Sequence, residues 1–321
     1  MTIFRLGYVA MSVHLQNASP SQTMTYRQFT NIKDKEAAIK KLERIALSNL
    51  ENCTRLLKHN IANEIFFFRF SSRIIPLANH PDLYFWDYIR VLKSKLYELG
   101  KMVKKYDMRV DFHPDHFVVL NNTEPEILKN SLKTMQMHGK LLKGMKLNTE
   151  HRCVLHVGGV YNDKEQALEQ FILNWGLVPI RLQKMIILEN DDKNFTFNDT
   201  LYLCEKLNIP CVFDLHHHMV HNEGDDWYNH WGRVINTWKY SPLPIKMHIS
   251  SPRDGEQDRA HADYINVDQF LSFLKKVNKT IPMLDCMIEA KQKDDALFQL
   301  VDNLKNHKDI KFLNGSTFII T

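Results

Sequence analysis

The stretch MIILENDDKNFTFNDTLYLCEKLNIPCVFDLHHH, residues 185–218, decides the fold that we predict for this chain. It begins with a short apolar run, continues through a segment with the spacing of an amphipathic helix at 198–208, and ends with a second apolar run. A strand, a helix and another strand in this order are typical of a βαβ unit with parallel strands. Both runs end on ionisable residues, Glu189 after the first and Asp214 with His217 after the second.

The same alternation recurs along the whole chain. Apolar runs also end at Tyr8, Ser71, His113, His156, Lys246 with His248, and Glu289. Amphipathic stretches separate them at about 34–60, 82–106, 124–147, 163–175, 198–208, 226–239, 267–278 and 293–306. Eight strands alternating with eight helices predict an α/β fold, a single (β/α)8 TIM barrel over residues 1–321. In such a barrel the active site lies at the C-terminal ends of the strands.

Composition argues against several other classes of protein. The 11 glycines form no G-x-G-x-x-G pattern and the chain has no Walker loop, so we expect no nucleotide cofactor. No run approaches the ~18 apolar residues of a membrane span, and the first residues lack a signal-peptide pattern. We therefore expect a cytoplasmic protein without a membrane partner. The five scattered cysteines form no C-x-x-C pair and fit reduced thiols. We expect a monomer, although the sequence shows no interface motif that would decide the oligomeric state.

The residues at the strand ends belong to the types that bind divalent metals. Each has an ordinary structural explanation when taken alone: a histidine can be a satisfied core residue, Glu189 can lie at a helix N-terminus, and Lys246 can extend to solvent. Six of eight successive strand ends carrying His, Asp or Glu favour a common site instead. The candidate metal ligands are His113, His156, Glu189, Asp214, His217, His248, His261 and Glu289.

Eight ligands are too many for one ion and suffice for two or three ions that share carboxylates. Such a cluster is suited to phosphodiester hydrolysis, because it activates water and stabilises the leaving oxygen. Alternate residues of a strand share a face, so Lys246 lies on the same face as His248, and Asp111 on the same face as His113. A lysine inside a barrel is costly unless it is paired or modified. The net charge of +5 is compatible with a polyanionic substrate.

Several ordered blocks of the sequence resemble the UV damage endonucleases. They are RFSSRIIPLANHP at 69–81, FHPDHF at 112–117, LHVGGVYNDKEQAL at 155–168, LENDD at 188–192, VFDLHHH at 212–218, KMHISS at 246–251, HADYI at 261–265 and MIEAKQKDDAL at 287–297. The resemblance runs from the first strand to about residue 300. The layout of the metal site is more distantly similar to that of endonuclease IV and the xylose-isomerase-like barrels.

The resemblance implies a DNA repair endonuclease with a TIM barrel and a manganese cluster of two or three ions, with Mg, Co or Zn as alternatives. It implies hydrolysis of damaged double-stranded DNA immediately 5′ to pyrimidine dimers and 6-4 photoproducts, and to some extent at abasic sites. All eight candidate ligands fall on the family's ligand positions. Glu189, Lys246 and Glu289 are then the catalytic residues, and Lys246 falls on a lysine that the family carries as N6-carboxylysine.

Two positions depart from the family pattern. The family can carry Gln and Tyr as a pair that probes damaged bases, and this chain has His116 and Phe117 there. Tyr8 matches an aromatic probe position on the first strand, whereas a nearby family Asn has no counterpart at 10–12. The further basic residues that we expect to contact DNA backbone phosphates are Arg69, Arg73, Lys193 and Lys291.

The sequence leaves three other functions open. An endonuclease IV-like enzyme would cut at abasic sites with little activity on dimers. A xylose-isomerase-like sugar isomerase would use the same metal barrel without salt-sensitive DNA affinity. A catalytically inactive barrel would bind DNA or store metal without cutting DNA.

Overall fold

Eight parallel strands form a nearly closed barrel in the computed structural model, which describes residues 1–161 and 163–321. The strands are β1 (Ile3–Val9), β2 (Phe67–Arg69), β3 (Arg109–Asp111), β4 (Cys153–His156), β5 (Ile186–Glu189), β6 (Cys211–Asp214), β7 (Ile245–Ile249) and β8 (Met283–Ile288). Their order around the barrel is β3, β2, β1, β8, β7, β6, β5, β4. A parallel bridge between Phe112 and Cys153 joins β3 to β4. The predicted TIM barrel is therefore confirmed.

Helices surround the barrel at the predicted places. They are α1 (Tyr26–Thr30), α2 (Lys35–Ala62), α3 (Tyr88–Lys105), α4 (Pro125–Gly144), α5 (Lys164–Trp175), α6 (Ile180–Gln183), α7 (Phe197–Leu207), α8 (Leu215–Val220), α9 (Trp231–Thr237), α10 (Val267–Val277) and α11 (Lys293–Lys305). The stretch predicted at 226–239 is a 3-10 turn, Trp227–His230, followed by α9. The short helices α1, α6 and α8 were not predicted. None of the described helices is both long and apolar enough to cross a bilayer.

A C-terminal hairpin was also missed by the sequence analysis. It consists of β9 (Ile310–Phe312) and β10 (Thr317–Ile320), which pair antiparallel. β10 also pairs antiparallel with the beginning of β1, where Ile3 lies opposite Ile319. The end of β1 pairs instead with β2, so the hairpin fills the lower part of the gap between these two strands.

The apolar residues form a large core between the barrel and its helices and a small cluster inside the barrel. The inner cluster consists of Val9, Phe67 and Met287. Gly7 makes room for it, because a Cβ at this position would lie 2.3 Å from the carbonyl oxygen of Phe67. The strands are thus apolar chiefly on their outer face.

The rest of the barrel floor is charged. Asp285 of β8 is fully buried and lies 2.7 Å from Nε of Arg5 and 2.7 Å from a terminal nitrogen of Arg109. Asp111 of β3 is also fully buried, and its Oδ2 accepts a hydrogen bond of 2.7 Å from Nζ of Lys246. Buried charges are tolerated when they are paired and hydrogen-bonded. Each of these groups has a charged partner, although Nε and one terminal nitrogen of Arg109 and Oδ1 of Asp111 have no hydrogen-bond partner among the described residues. The network forms the floor beneath the strand ends.

Candidate metal centre

Glu189 lies at the centre of the histidines that follow the barrel strands. Its Oε2 is 2.9 Å from Nε2 of His113 and 3.9 Å from Nε2 of His156. Its Oε1 is 2.8 Å from Nδ1 of His248 and 3.5 Å from Nδ1 of His217. Two groups with metal-ligand spacing result, one with His113 and His248 and one with His156 and His217, and Glu189 belongs to both. The last residues of β4 and β5 produce this geometry, because His156 and Glu189 are paired in the sheet register.

Glu289 extends the cluster on the other side of the barrel. Its Oε1 lies 3.1 Å from Nδ1 of His248 and forms an ion pair with Arg69. The backbone oxygen of Glu289 lies 2.7 Å from Nδ1 of His261, which orients this ring and leaves its Nε2 available. Burial alone would raise the pKa of the Glu289 carboxyl, but the Arg69 guanidinium and neighbouring histidines hold it well below its usual range. These neighbours favour the ionised form of Glu289 at the edge of the cluster.

Asp214 and His217 are positioned by the start of α8. Asp214 caps this helix, and its Oδ1 accepts a hydrogen bond of 2.7 Å from the backbone N–H of His217. Asn190 fixes the same corner through both ends of its amide, which contact the backbone N–H and the carbonyl oxygen of Asp214. The backbone oxygen of Asn190 lies 2.9 Å from Nδ1 of His217. Asn190 was not identified from the sequence, although it directly follows Glu189.

The electrostatics favour the metal-binding form of three of the four clustered histidines. Burial alone would lower the pKa of the fourth, His217, but the carboxylates of Asp214 and Glu189 raise it to about 9. Burial lowers the pKa of His113 to about 4 and lowers the pKa values of His156 and His248 well below the usual range. These three imidazoles are neutral near pH 7, which is the state that binds a metal. Burial and the proximity of Glu289 raise the pKa of the Glu189 carboxyl well above its usual value. A cation beside Glu189 would favour its ionised form again.

Three buried polar atoms in this cluster have no hydrogen-bond partner among the residues that the structure describes. They are Nε2 of His248, Nδ1 of His156 and Oδ2 of Asp214. Buried polar atoms in folded proteins nearly always have a partner. A set of histidines and carboxylates with orphaned atoms fits divalent metal ions, and imidazole nitrogen with carboxylate oxygen suits Mn²⁺ or Zn²⁺.

A cavity of about 580 Å³ opens beside the cluster. His156, His217 and His261 line it together with His116 and Lys193. Its wall also includes Gly158, whose φ of +129° suits glycine only and whose Cβ would lie 2.1 Å from Oδ1 of Asn121. The block 155–168 therefore forms part of the wall, although its Asn162 lies outside the described residues. His116 and Lys193 are exposed here, where a DNA strand could reach them.

The other expected DNA-contacting residues lie in different environments. The Phe117 ring is 62% exposed beside the cavity-lining His116, and the exposed Arg73 is paired with Asp115. Lys291 is exposed, two residues after the candidate ligand Glu289. Arg69 lies within the cluster, where its guanidinium forms an ion pair with Glu289. We had expected this guanidinium to contact DNA backbone phosphates instead.

Tyr8 does not lie in the site, which corrects the probe role expected for it. Its side chain is fully buried, packs edge-on against Phe68, and donates a hydrogen bond of 2.6 Å to Oδ1 of Asn60. The cause is the alternation of β1: Gly7 and Val9 face the barrel interior, so Tyr8 between them faces the helices.

The His216–His218 run divides between site and structure. His217 belongs to the cluster, whereas Nδ1 and Nε2 of His216 contact Oγ of Ser250 and the backbone oxygen of Asp258. His218 lies 3.1 Å from the backbone oxygen of Asp225. Only the middle histidine is therefore placed to bind a metal with Glu189.

Fold and site together define a class: a TIM barrel with a carboxylate-bridged histidine cluster at the C-terminal ends of its strands. Residues 4–318 match the family model described as UV-endonuclease UvdE. The chain is 51% identical over 313 residues to the UV DNA damage endonuclease of Halalkalibacterium halodurans, covering 97% of each chain. It is 39% identical over 314 residues to that of Bacillus cereus strain G9842, covering 98% of each. The chain therefore belongs to the UvdE family of UV endonucleases.

A solved structure agrees with this assignment. The crystal structure of SacUVDE superposes with a TM-score of 0.82 at 31% sequence identity. The match covers 94% of this chain and 98% of that one. The barrel described above is thus the fold of a solved relative.

Proposed function

We propose that this protein is a DNA repair endonuclease that cuts damaged duplex DNA immediately 5′ to UV photoproducts and acts secondarily at abasic sites. The single observation that carries the proposal is the position of Glu189 between four histidines from different strand ends. Family membership supports DNA as the substrate, and the open cavity beside the cluster admits a polymer backbone.

The eight residues predicted as ligands would hold two or three divalent ions, for which manganese is the first candidate. The geometry supports four histidines and Glu189 most directly, with Glu289, Asp214 and His261 at the edge. When bound, such ions supply Lewis-acid stabilisation of the phosphate and lower the pKa of water.

The chain's own residues have distinct tasks in this proposal. Glu189 holds the two histidine groups in one arrangement, and Arg69 keeps Glu289 ionised. Lys193 and His116 face the cavity and would contact the DNA backbone, where cationic side chains position the duplex. Phe117 would fill the gap left by damaged bases, which cost less to unstack than intact pairs.

The decisive experiment is incision of an end-labelled duplex that carries one defined pyrimidine dimer, with Mn²⁺ and with chelator. We expect a cut directly 5′ to the dimer that requires the metal. Cutting at an abasic site alone would indicate the endonuclease IV-like function. No cut on either duplex would contradict the proposal and favour a small-molecule substrate.

Phe117→Ala is expected to lower the preference for damaged over intact DNA by about tenfold, since base stacking on an aromatic ring contributes roughly 1–3 kcal/mol. The metal content should not change, because Phe117 lies outside both ligand groups. The rates on dimer and intact duplexes give the preference. Tyr240→Ala removes another exposed ring, 77% exposed and outside both the histidine cluster and the pockets around Phe117, and serves as the matched control. An unchanged preference would place the probe elsewhere.

We also propose that Lys246 is carboxylated in the metal-loaded protein. Burial lowers the pKa of its ammonium group, which favours the neutral amine that adds CO2 and releases a proton. Labelling with ¹³C-bicarbonate should give one carbamate carbon resonance that is missing in Lys246→Ala and present in the exposed-site control Lys206→Ala. A spectrum without this resonance, in protein loaded with diamagnetic Zn²⁺, would contradict the modification and leave Lys246 as the partner of Asp111.

A further inference from the structure

The positive charge of this chain is concentrated on two neighbouring helices. α3 carries six Lys or Arg residues and one Glu, and α4 carries four Lys and one Glu. These helices therefore hold formal charges of +5 and +3, whereas the whole chain has a net charge of +5. The rest of the molecule is net negative by three. α3 and α4 pack side by side, so the excess lies on one flank of the barrel.

Most of these cations have no acidic partner. Within residues 1–161 and 163–321, only Lys95 and Lys129 of the ten form ion pairs, with Glu51 and Glu98 and with Glu126. The other eight form what we call the α3–α4 basic surface: Arg90, Lys93, Lys101, Lys104, Lys105, Lys133, Lys140 and Lys143. All of them are exposed except Lys133, which is half-buried. Unpaired like charges at this density repel one another and favour a polyanionic partner.

A groove made of two adjoining pockets extends from Phe117 to this surface. Its first part, about 320 Å³, is lined by Arg73, Phe117 and Met137. Its second part, also about 320 Å³, shares Met137 with the first and is lined by Lys133 and Lys140. A duplex that enters the site beside Phe117 therefore meets the basic surface on this side of the barrel.

We propose that the α3–α4 basic surface binds the phosphate backbone of one flank of the duplex, away from the incision site. This inference rests on the proposed function, because it takes DNA as the substrate. α3 spans about 27 Å, the length of about 8 base pairs of duplex. Contact along that length requires the duplex to bend toward the barrel flank, and bending costs less where damage has weakened stacking.

The test compares duplexes with one defined dimer and unequal flanks. One duplex has about 6 base pairs on both sides of the dimer, and two others extend only the 5′ flank or only the 3′ flank by about 14 base pairs, more than the length of α3. Affinity is measured by fluorescence anisotropy at several salt concentrations. The variant replaces Lys93, Lys104, Lys133 and Lys140 with Gln. The charge-matched control replaces the exposed Lys206, Lys239, Lys276 and Lys308, which lie outside α3 and α4, with Gln.

Extending one flank, and only one, should tighten binding of the wild-type protein by about tenfold, because a single side of the barrel is basic. The quadruple variant should lose this gain, and its slope of log K against log salt on the extended duplex should decrease by about 2–4. Its incision of the short duplex should remain within about twofold of wild type. The control variant should retain the gain from the extended flank.

Three outcomes would overturn the inference. The first is equal affinity of the wild-type protein for all duplexes. The second is an equal loss of affinity for the extended duplex in the variant and in its charge-matched control. The third is an equal loss of affinity for the short and the extended duplexes in the quadruple variant, which would place the four lysines at the incision site itself. Failure of the wild-type protein to cut the short duplex would count against the proposed function, and this is a separate readout from the dependence of binding on flank length.

Discussion

Glu189→Gln is expected to reduce incision by about a thousandfold or more, the largest effect of any single substitution in this chain. Glutamine has nearly the same volume, so the packing around the fully buried side chain should survive. The change removes one negative charge from the centre of four histidines and from both ligand groups at once. Both groups should then bind metal poorly, and the protein should contain less metal at equal ion concentration.

Incision rate, metal content by elemental analysis and thermal unfolding together test this expectation. Glu205→Gln is the control, because Glu205 is a partly exposed glutamate on α7 paired with Arg233, away from the cluster. Glu289→Gln should have a smaller effect on metal content than Glu189→Gln, since Glu289 contacts His248 but bridges neither group. Near-normal cutting by Glu189→Gln with a normal metal content would exclude Glu189 from the reaction.

Asp285→Ala is expected to lower the free energy of unfolding by about 3–5 kcal/mol. The substitution removes the carboxylate that pairs with Arg5 and Arg109, and it leaves two guanidinium groups in the barrel floor without this partner. Chemical denaturation measures the loss. Asp302→Ala is the control: it breaks an exposed ion pair with Lys305 and should cost less than about 1 kcal/mol. Equal effects of both substitutions would show that the floor network contributes no special stability.

The same network predicts how the free energy of unfolding changes with pH. Burial alone would raise the pKa of the Asp285 carboxyl, but Arg5 and Arg109 hold it below the ordinary value. A depressed pKa in the folded state contributes stability above the unfolded-state pKa, and this contribution disappears as the pH falls through the folded-state pKa. The stability difference between wild type and Asp285→Asn should therefore shrink in acid and stay constant from about pH 6 to 8.

The sequence was sufficient to predict the barrel and the convergence of most of the histidines and carboxylates at its strand ends. Parallel strands end at the same face of a barrel, so ionisable residues at successive strand ends must converge, as Glu189 does with His113, His156 and His248. The predicted probe role of Tyr8 was wrong because proximity to a strand end does not determine on which face of the sheet a side chain lies. A shift of one residue in the alternation turns a side chain from the interior to the helix layer.

Other features left little trace in the sequence. The charged floor was missed because Arg5, Arg109 and Asp285 are scattered over three strands and acquire their pairing only when the barrel closes. The β9–β10 hairpin was missed because both strands are short and β9 is only partly buried. Asn190 had no distinguishing pattern, since its role depends on the backbone of Asp214 in the neighbouring strand. In each case the determining contacts are long-range.

The pairing of β1 also has a consequence for synthesis in the cell. β1 obtains most of its partners from β8 and β10, which lie about 280 and 314 residues later in the chain, whereas only Tyr8 and Val9 pair with the nearer β2. At a ribosomal rate of about 5–20 residues per second, the nascent first strand waits roughly 15–60 s for β8. During this interval the part of β1 before Tyr8 has hydrogen-bonding edges that are open to other chains. The barrel is therefore completed late, and a chaperone that shields its N-terminal segment should increase the yield of folded protein.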